Sequence, residues 1–245
     1  MSNAASAWRA EKNERALARL QRALPAIFPK PVLIHALSRS LIPVTPRRAV
    51  ESYWRQHPLR ADRLARALAR ASGHPEGWQW QLCPKRQDGR ASTFRLPPAP
   101  FRESAYARGP GHCVVCGQPV FRFGWHRDLW GAEKPNKNAQ WHAACVVAWK
   151  MWCQPAEYVQ PLKRRQGRRC AVTGKRLFKT AEIDHRVPLH QVWREHRGRS
   201  WPDLLDFWGV PNLQVVGRES HLDKSALEAA ARAVARQAPG QSDLA

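Results

Sequence analysis

A cysteine pair and a histidine–cysteine pair constrain this chain more than any other feature. Cys113-Val-Val-Cys116-Gly117 sets two thiols at knuckle spacing on a tight turn, and Gly117 supplies the left-handed backbone that such a turn wants. Downstream, Trp141-His142-Ala-Ala-Cys145 opens the apolar run VVAWKMW, so His142 and Cys145 share one face at the start of a helix. Cys113, Cys116, His142 and Cys145 together form the donor set of a closed tetrahedral zinc site, a hairpin pair facing a helix pair. With every position filled by protein, such a zinc is structural and holds together a subdomain too small for a core of its own. The alternative, two unrelated pairs of buried cysteines, is disfavoured because both pairs keep ligand spacing. His126 lies between the pairs and is a substitute imidazole. Cys83 and Cys153 have no partner at ligand spacing and read as ordinary buried thiols.

This arrangement resembles a LIM-like or treble-clef zinc module, spanning residues 112–160. Its surroundings are basic: 41 Lys and Arg stand against 19 acidic residues in 245, a formal net charge of +22. A surface of that sign collects anions, and nucleic acid is the commonest biological polyanion. Charge alone does not separate DNA from RNA or from an anionic membrane, and non-specific stickiness is its bland reading. No apolar run is long enough to cross a membrane, and no apolar stretch follows a basic start as in a signal peptide. A cytoplasmic protein is expected, with its six cysteines serving as thiols or metal ligands.

Residues 1–6 are small and polar and are expected to be disordered. A helical pattern runs from Trp8 to Leu24 with Leu17, Leu20 and Leu24 on one face, and Pro25 stops it. An apolar stretch from Pro31 to Ile42 ends at Pro43. Thr45 then reads as an N-cap with Pro46 at the first helical position, opening a helix with Val50, Tyr53 and Trp54. Another arginine-rich helix follows Pro58 to Ala71, with Leu64 and Leu68 on its buried face and Gly73 closing it. Residues 8–73 thus read as a basic helical domain, whose arginines on the bland reading are a solvated face. The stretch FPKPVLIHAL with RRAVESYWRQHPLRADRLARAL, residues 28–68, is similar to the helical core of ProQ/FinO-type RNA chaperones, which implies RNA binding. The family's Asp-Leu-Asp-Gly turn has only a poor substitute in Gln87-Asp88-Gly89. Residues 74–111, with LPPAP and Gly109-Pro110-Gly111, read as a linker.

The chemistry is carried by four later segments. They are Cys170-Ala-Val-Thr-Gly-Lys-Arg-Leu, Ala-Glu-Ile-Asp184-His185-Arg-Val-Pro188-Leu, Pro211-Asn212-Leu-Gln-Val-Val, and Glu-Ser-His221-Leu-Asp-Lys224-Ser-Ala. Their order resembles the HNH endonuclease, or ββα-metal, family; the resemblance covers about 60 residues of a module placed at residues 165–238. The resemblance implies that Asp184 and His221 hold a divalent metal, that His185 is the general base, and that Asn212 braces the loop carrying it. Water would attack phosphorus, His185 would accept its proton, and the metal would stabilise the leaving 3′ oxygen. Lys224 would contact phosphate or point into solvent. A carboxylate ligand and open positions suit magnesium or manganese, and the histidine keeps zinc, nickel or cobalt in play. On a regular strand Asp184 and His185 point to opposite faces, so one site needs the hairpin to twist or bend there.

Two departures stand out. Many family members carry a structural zinc within this module, yet here Cys170 is followed by Thr173, and Gly217 and Ser220 stand where the second pair would be. No structural zinc is expected in this module. The segment between His185 and Asn212 is also longer than a minimal loop. Residues 190–196 read as a helix, and Ser200 caps another that holds Leu204, Leu205, Phe207 and Trp208, ended by Gly209, as core rather than DNA-reading wedges. His190 and His196 read as surface residues, with assistance at the metal as the alternative for His190.

The expected architecture is α+β in three parts: a basic N-terminal helical domain, a zinc-bound treble clef and a ββα-metal nuclease. The expected function is phosphodiester hydrolysis in nucleic acid, DNA first and RNA second, with no membrane partner. The rival readings are a non-catalytic nucleic-acid-binding protein, RNA chaperone-like with structural zinc, and an adaptor whose clip docks a protein.

Overall fold

A computed structural model describes residues 3–39, 43–71, 97, 108–127, 134–178, 180–196 and 198–237. Gly73, Cys83, most of the 74–111 stretch and the end of the 31–42 stretch lie outside them. The described residues are mostly helical with one two-stranded antiparallel sheet. They fall into two compact units, divided between Ala148 and Trp149. No helix among them is long and apolar enough to cross a membrane.

In the first unit, α1 (Asn3–Ala23), α2 (Lys30–Arg39), α3 (Pro46–Gln56) and α4 (Pro58–Ala71) follow one another, each packed on the next. The expected disorder of residues 1–6 is corrected from Asn3 onward. Ala4, Ala5 and Ala7 lose no side-chain entropy in a helix, so the first turns form before Trp8. Helix α3 starts where its cap residues put it, with Thr45 Oγ1 accepting the Arg48 N–H at 3.3 Å and Pro46 in the first turn. On α4 the buried stripe is Ala61, Ala65, Leu68 and Ala69, while Leu64 is only half-buried, a correction to its expected place. Small alanines let a helix approach its neighbour closely, and the larger Leu64 is rotated to the edge. Asp62 is fully buried in the same helix and takes Arg66 at 2.9 Å. Phe28 packs against Tyr53 and Trp125, with ring centroids 5.9 and 6.3 Å away, so the helices share a core with the cysteine segment.

Helix α5 (Ala143–Cys153) has its residues to Ala148 in the first unit. The second unit continues with α6 (Val159–Arg165), a knuckle at Cys170, β1 (Glu182–His185), α7 (Leu189–His196), α8 (Trp201–Trp208), β2 (Leu213–Val216) and α9 (Arg218–Gln237). Helix α6 ends in a Schellman cap: the Gly167 N–H reaches Arg164 O at 3.1 Å and the Arg168 N–H reaches Lys163 O at 2.9 Å. Strands β1 and β2 pair with Asp184 opposite Gln214 and His185 opposite Leu213. The long connection between them is α7 and α8, and Trp201, Leu204, Leu205 and Trp208 are fully buried, as core. Phe207 is half-buried and stacks on His196 with centroids 4.8 Å apart, so His196 is not simply a surface residue. Ser200 stands at the N-cap position, but its hydroxyl donates to Asp203 Oδ2 at 2.8 Å instead of accepting a backbone N–H.

Candidate metal clip and hairpin site

The first unit brings Cys113, Cys116, His142 and Cys145 together, with their ligand atoms all within 4.8 Å of one another and all four residues buried. The knuckle is a closed turn. The Cys113 N–H donates to Gln118 O at 2.8 Å and the Gly117 N–H to Cys113 O at 2.7 Å, with Gly117 at φ 71°. The Val114 N–H donates to Gln140 O at 2.9 Å, which ties the knuckle to the segment entering α5. His142 Nδ1 lies 3.3 Å from Cys116 Sγ and 3.7 Å from Cys145 Sγ. Its Nε2–H donates to Pro119 O at 2.8 Å, which fixes the tautomer and turns the Nδ1 lone pair toward the thiols. His126 packs against the His142 ring, centroids 5.8 Å apart, and is not in the four-residue group.

Burial pushes the Cys116 and Cys145 thiols well up; Cys113 adds to the rise at both, and Cys116 adds to it at Cys145. At Cys113 burial is outweighed by hydrogen bonds from Cys116, Cys145 and His142, and the thiol is held down. Three buried thiols around one imidazole cannot share negative charge without a cation, and a divalent metal reverses that balance. The donor set, its closure by protein and the carbonyl behind His142 all fit a structural zinc. Cys153 is an isolated thiol pushed up to about 12 by burial.

The knuckle at Cys170 repeats this frame in the second unit. The Cys170 N–H donates to Lys175 O at 2.8 Å, the Gly174 N–H to Cys170 O at 2.9 Å, and the Ala171 N–H to Val215 O at 3.2 Å, with Gly174 at φ 67°. The His142 N–H lies 3.5 Å from Cys113 Sγ, and in the same relation the Gly217 N–H lies 3.4 Å from Cys170 Sγ. Thr173, Gly217 and Ser220 therefore occupy the places of Cys116, His142 and Cys145. Ser220 Oγ lies 3.8 Å from Cys170 Sγ.

The hairpin gathers the other candidates. Alternation along β1 puts Glu182 and Asp184 on one face, and α9 packs against that strand. Asp184 is buried. Its Oδ2 accepts from Gln214 Nε2 at 2.6 Å, and the Lys224 ammonium donates to both its oxygens at 2.8 and 2.6 Å. Lys224 also donates to the His185 carbonyl and lies 3.3 Å from Glu228. His221 is one turn before Lys224, and its Nδ1–H donates to Glu182 Oε2 at 2.5 Å. Asp184 and His221 thus face the same strand–helix seam but hold different partners, and neither belongs to a group of three metal-ligating side chains among the described residues. Sequence reasoning did not single out Glu182, Gln214 or Glu228. Alternation from Asp184 marks Glu182, and i,i+4 spacing from Lys224 marks Glu228, whereas Gln214 needs the strand register.

His185 ends β1. Its Nε2 is buried with no hydrogen-bond partner. Burial, opposed by the Asp184 charge and aided by that of Lys224, pushes its imidazole down to about 4. Asn212 grips the following loop on both sides: Oδ1 accepts the Val187 N–H at 2.7 Å, and Nδ2 donates to Val187 O at 2.9 Å and to Phe207 O at 2.8 Å. The Arg186 N–H reaches Asn212 O at 2.8 Å. His190, half-buried on α7, is held below the ordinary imidazole range by burial and by Arg232.

No protein-family model, curated protein or solved structure matches this chain.

Proposed function

We propose that this chain is a metal-dependent HNH-type endonuclease that hydrolyses phosphodiester bonds in nucleic acid, with DNA as the first substrate. The observation that carries the reading is the buried, unpartnered Nε2 of His185, next to Asp184 at the end of β1 and just before the loop that Asn212 clamps. Phosphodiester hydrolysis needs a group to take the proton of an attacking water and a means of relieving charge on phosphate. An imidazole pushed down to about 4 is neutral near pH 7, and with its proton on Nδ1 the free Nε2 lone pair can take that proton. Asn212 supports this role by fixing the backbone that follows the base.

Asp184 and His221 would hold the divalent cation, with Glu182 behind His221 setting its tautomer through Nδ1–H. Such a cation supplies stabilisation of the negative charge that builds on the phosphate and the leaving oxygen. The ammonium of Lys224 on both oxygens of Asp184 marks this as a place that accepts positive charge, and Glu228 keeps Lys224 paired when Asp184 is released. The order β1, β2, α9 supports the ββα-metal comparison, and the Cys3His group supports a treble-clef zinc in the first unit.

The test is a cleavage assay on supercoiled plasmid, single-stranded DNA and RNA. Chelated protein receives magnesium, manganese, nickel or zinc, beside His185→Ala. The variant is expected to lose about 10²- to 10⁴-fold in rate while binding nucleic acid as before. Salt-sensitive binding without cutting by any metal-loaded wild-type sample would leave the non-catalytic binding protein as the surviving reading.

A further inference from the structure

We propose that the Cys170 knuckle and the helix end before it form a nucleic-acid docking surface. The inference rests on the reading of a nucleic-acid substrate and assigns its recognition to particular residues. Residues 159–181 contain eight Lys or Arg and no Asp or Glu. Arg164, Arg165, Arg168, Arg169, Lys175 and Arg176 are exposed, and none forms an ion pair among the described residues.

The fold gathers these charges. The Schellman cap of α6 turns the chain back at Gly167, and the knuckle then folds the run on itself. Arg169 bridges to Arg176 in antiparallel fashion, and the Leu177 N–H donates to Arg168 O at 2.8 Å. Two arginines therefore face each other across a bridge, where like charges repel. A polyphosphate laid over both relieves that repulsion and releases its own counter-ions.

The backbone adds a second indication. Arg168 has φ 58°, directly after Gly167 at φ 67°. A β-carbon is strained in that conformation, and glycine would occupy it freely. Arginine instead puts a guanidinium on the turn between helix and knuckle. Phe178, 74% exposed at the foot of the knuckle, gives a stacking face beside the cations.

The experiment uses full-length chelated protein, so that binding is read without cutting, with a fluorescent DNA duplex, the matching single strand and RNA. The quadruple variant Arg168→Gly, Arg169→Gln, Lys175→Gln, Arg176→Gln is compared with Arg9→Gln, Arg15→Gln, Arg19→Gln, Arg22→Gln on α1, which removes the same charge. The knuckle variant is expected to bind at least ~10-fold more weakly at ~0.1 M salt, with its log–log salt slope reduced by ~0.9 for each duplex phosphate it no longer neutralises. The α1 variant is expected to move less. Arg168→Gly alone is expected to weaken binding while its Tm holds or rises, which a structural role for Arg168 would not produce. Wild-type affinity and slope in the knuckle variant, an equal loss in the α1 variant, or uptake of phosphatidylserine vesicles with no uptake of nucleic acid would each overturn the proposal. Binding without cutting would sink the nuclease reading and leave this surface standing, whereas cutting with unaltered binding in the knuckle variant would sink the surface alone.

Discussion

Cys113 and Cys170 each begin a turn whose backbone closes in the same way, yet the two turns are held by different chemistry. Around Cys113 three further ligands converge, all buried, and the thiols of Cys116 and Cys145 are pushed up by that burial. Around Cys170 the corresponding places hold Thr173, Gly217 and Ser220, and the lone sulfur accepts the Gly217 N–H and donates to Ser220 Oγ. A further link replaces metal at the second knuckle. The Gln166 side-chain amide donates to Val215 O at 2.7 Å and accepts the Val215 N–H at 3.0 Å, so it binds β2 much as a short strand would. The difference teaches that one backbone frame can gather a donor set fit for a cation or be closed by satisfied polar groups. A knuckle with three buried thiols needs the cation.

The largest expected effect comes from denying the first knuckle the cation that its Cys3His group fits. Structural zinc contributes about 10–16 kcal/mol of apparent binding energy in small zinc-dependent domains, so chelation or Cys145→Ser should open the first knuckle. Amide hydrogen exchange reads both regions in one sample. The Gly117 and Val146 amides are expected to lose protection, while those of Ala171 and Val215 keep theirs. Equal loss at all four would break the comparison, because the second knuckle would then depend on the metal as well.

A smaller effect should follow from converting the second knuckle into the first. Thr173→Cys, Gly217→His and Ser220→Cys complete the ligand set around Cys170. A β-carbon at Gly217 meets no atom within 4 Å, so the backbone has room for the imidazole. The triple variant is expected to bind one additional cobalt(II) ion, with the visible absorption of a tetrahedral thiolate site, and to gain thermal stability as the metal concentration rises above its dissociation constant. A variant that folds but takes up no extra cobalt would show that the shared hydrogen bonds do not bring the four positions into ligand geometry.

The two regions were not equally legible in the sequence. The clip is written as local spacing, since a hairpin pair and a helix pair each fix two ligands by neighbouring residues alone. The places of Asp184, His185, Asn212 and His221 on a strand end, a loop and a helix follow from motif and pattern. Their partners do not. Lys224 lies on Asp184 because β1 and α9 dock face to face, and Gln214 reaches Asp184 because the register sets them opposite. Neither docking nor register is written in local spacing. The early start of α1 and the alanine stripe of α4 escaped for another reason. Leucines dominate a periodicity argument, whereas alanine contributes through helix propensity and close approach.

The smallest expected effect is a pH dependence of the second knuckle that involves no metal. Burial pushes the Cys170 thiol up, but the Thr173 hydroxyl and the backbone N–H groups of Gly217, Thr173 and Val172 outweigh it and hold the group down to about 6 from an ordinary 9.0. The folded state then binds fewer protons than the unfolded chain between those two values, so stability rises with pH across that window. This contribution is fully present above the unfolded value and is lost as pH falls through about 6. Denaturant midpoints followed by hydrogen exchange at Val215 should climb from pH 6 toward pH 9, and Cys170→Ala should flatten the climb. Ser220→Ala should leave most of it, because Ser220 is not among the principal donors that hold the thiol down. A slope that survives in Cys170→Ala would assign the pH dependence to other groups and leave the knuckle sulfur a neutral thiol, closer to Cys153 than to the ligands of the clip.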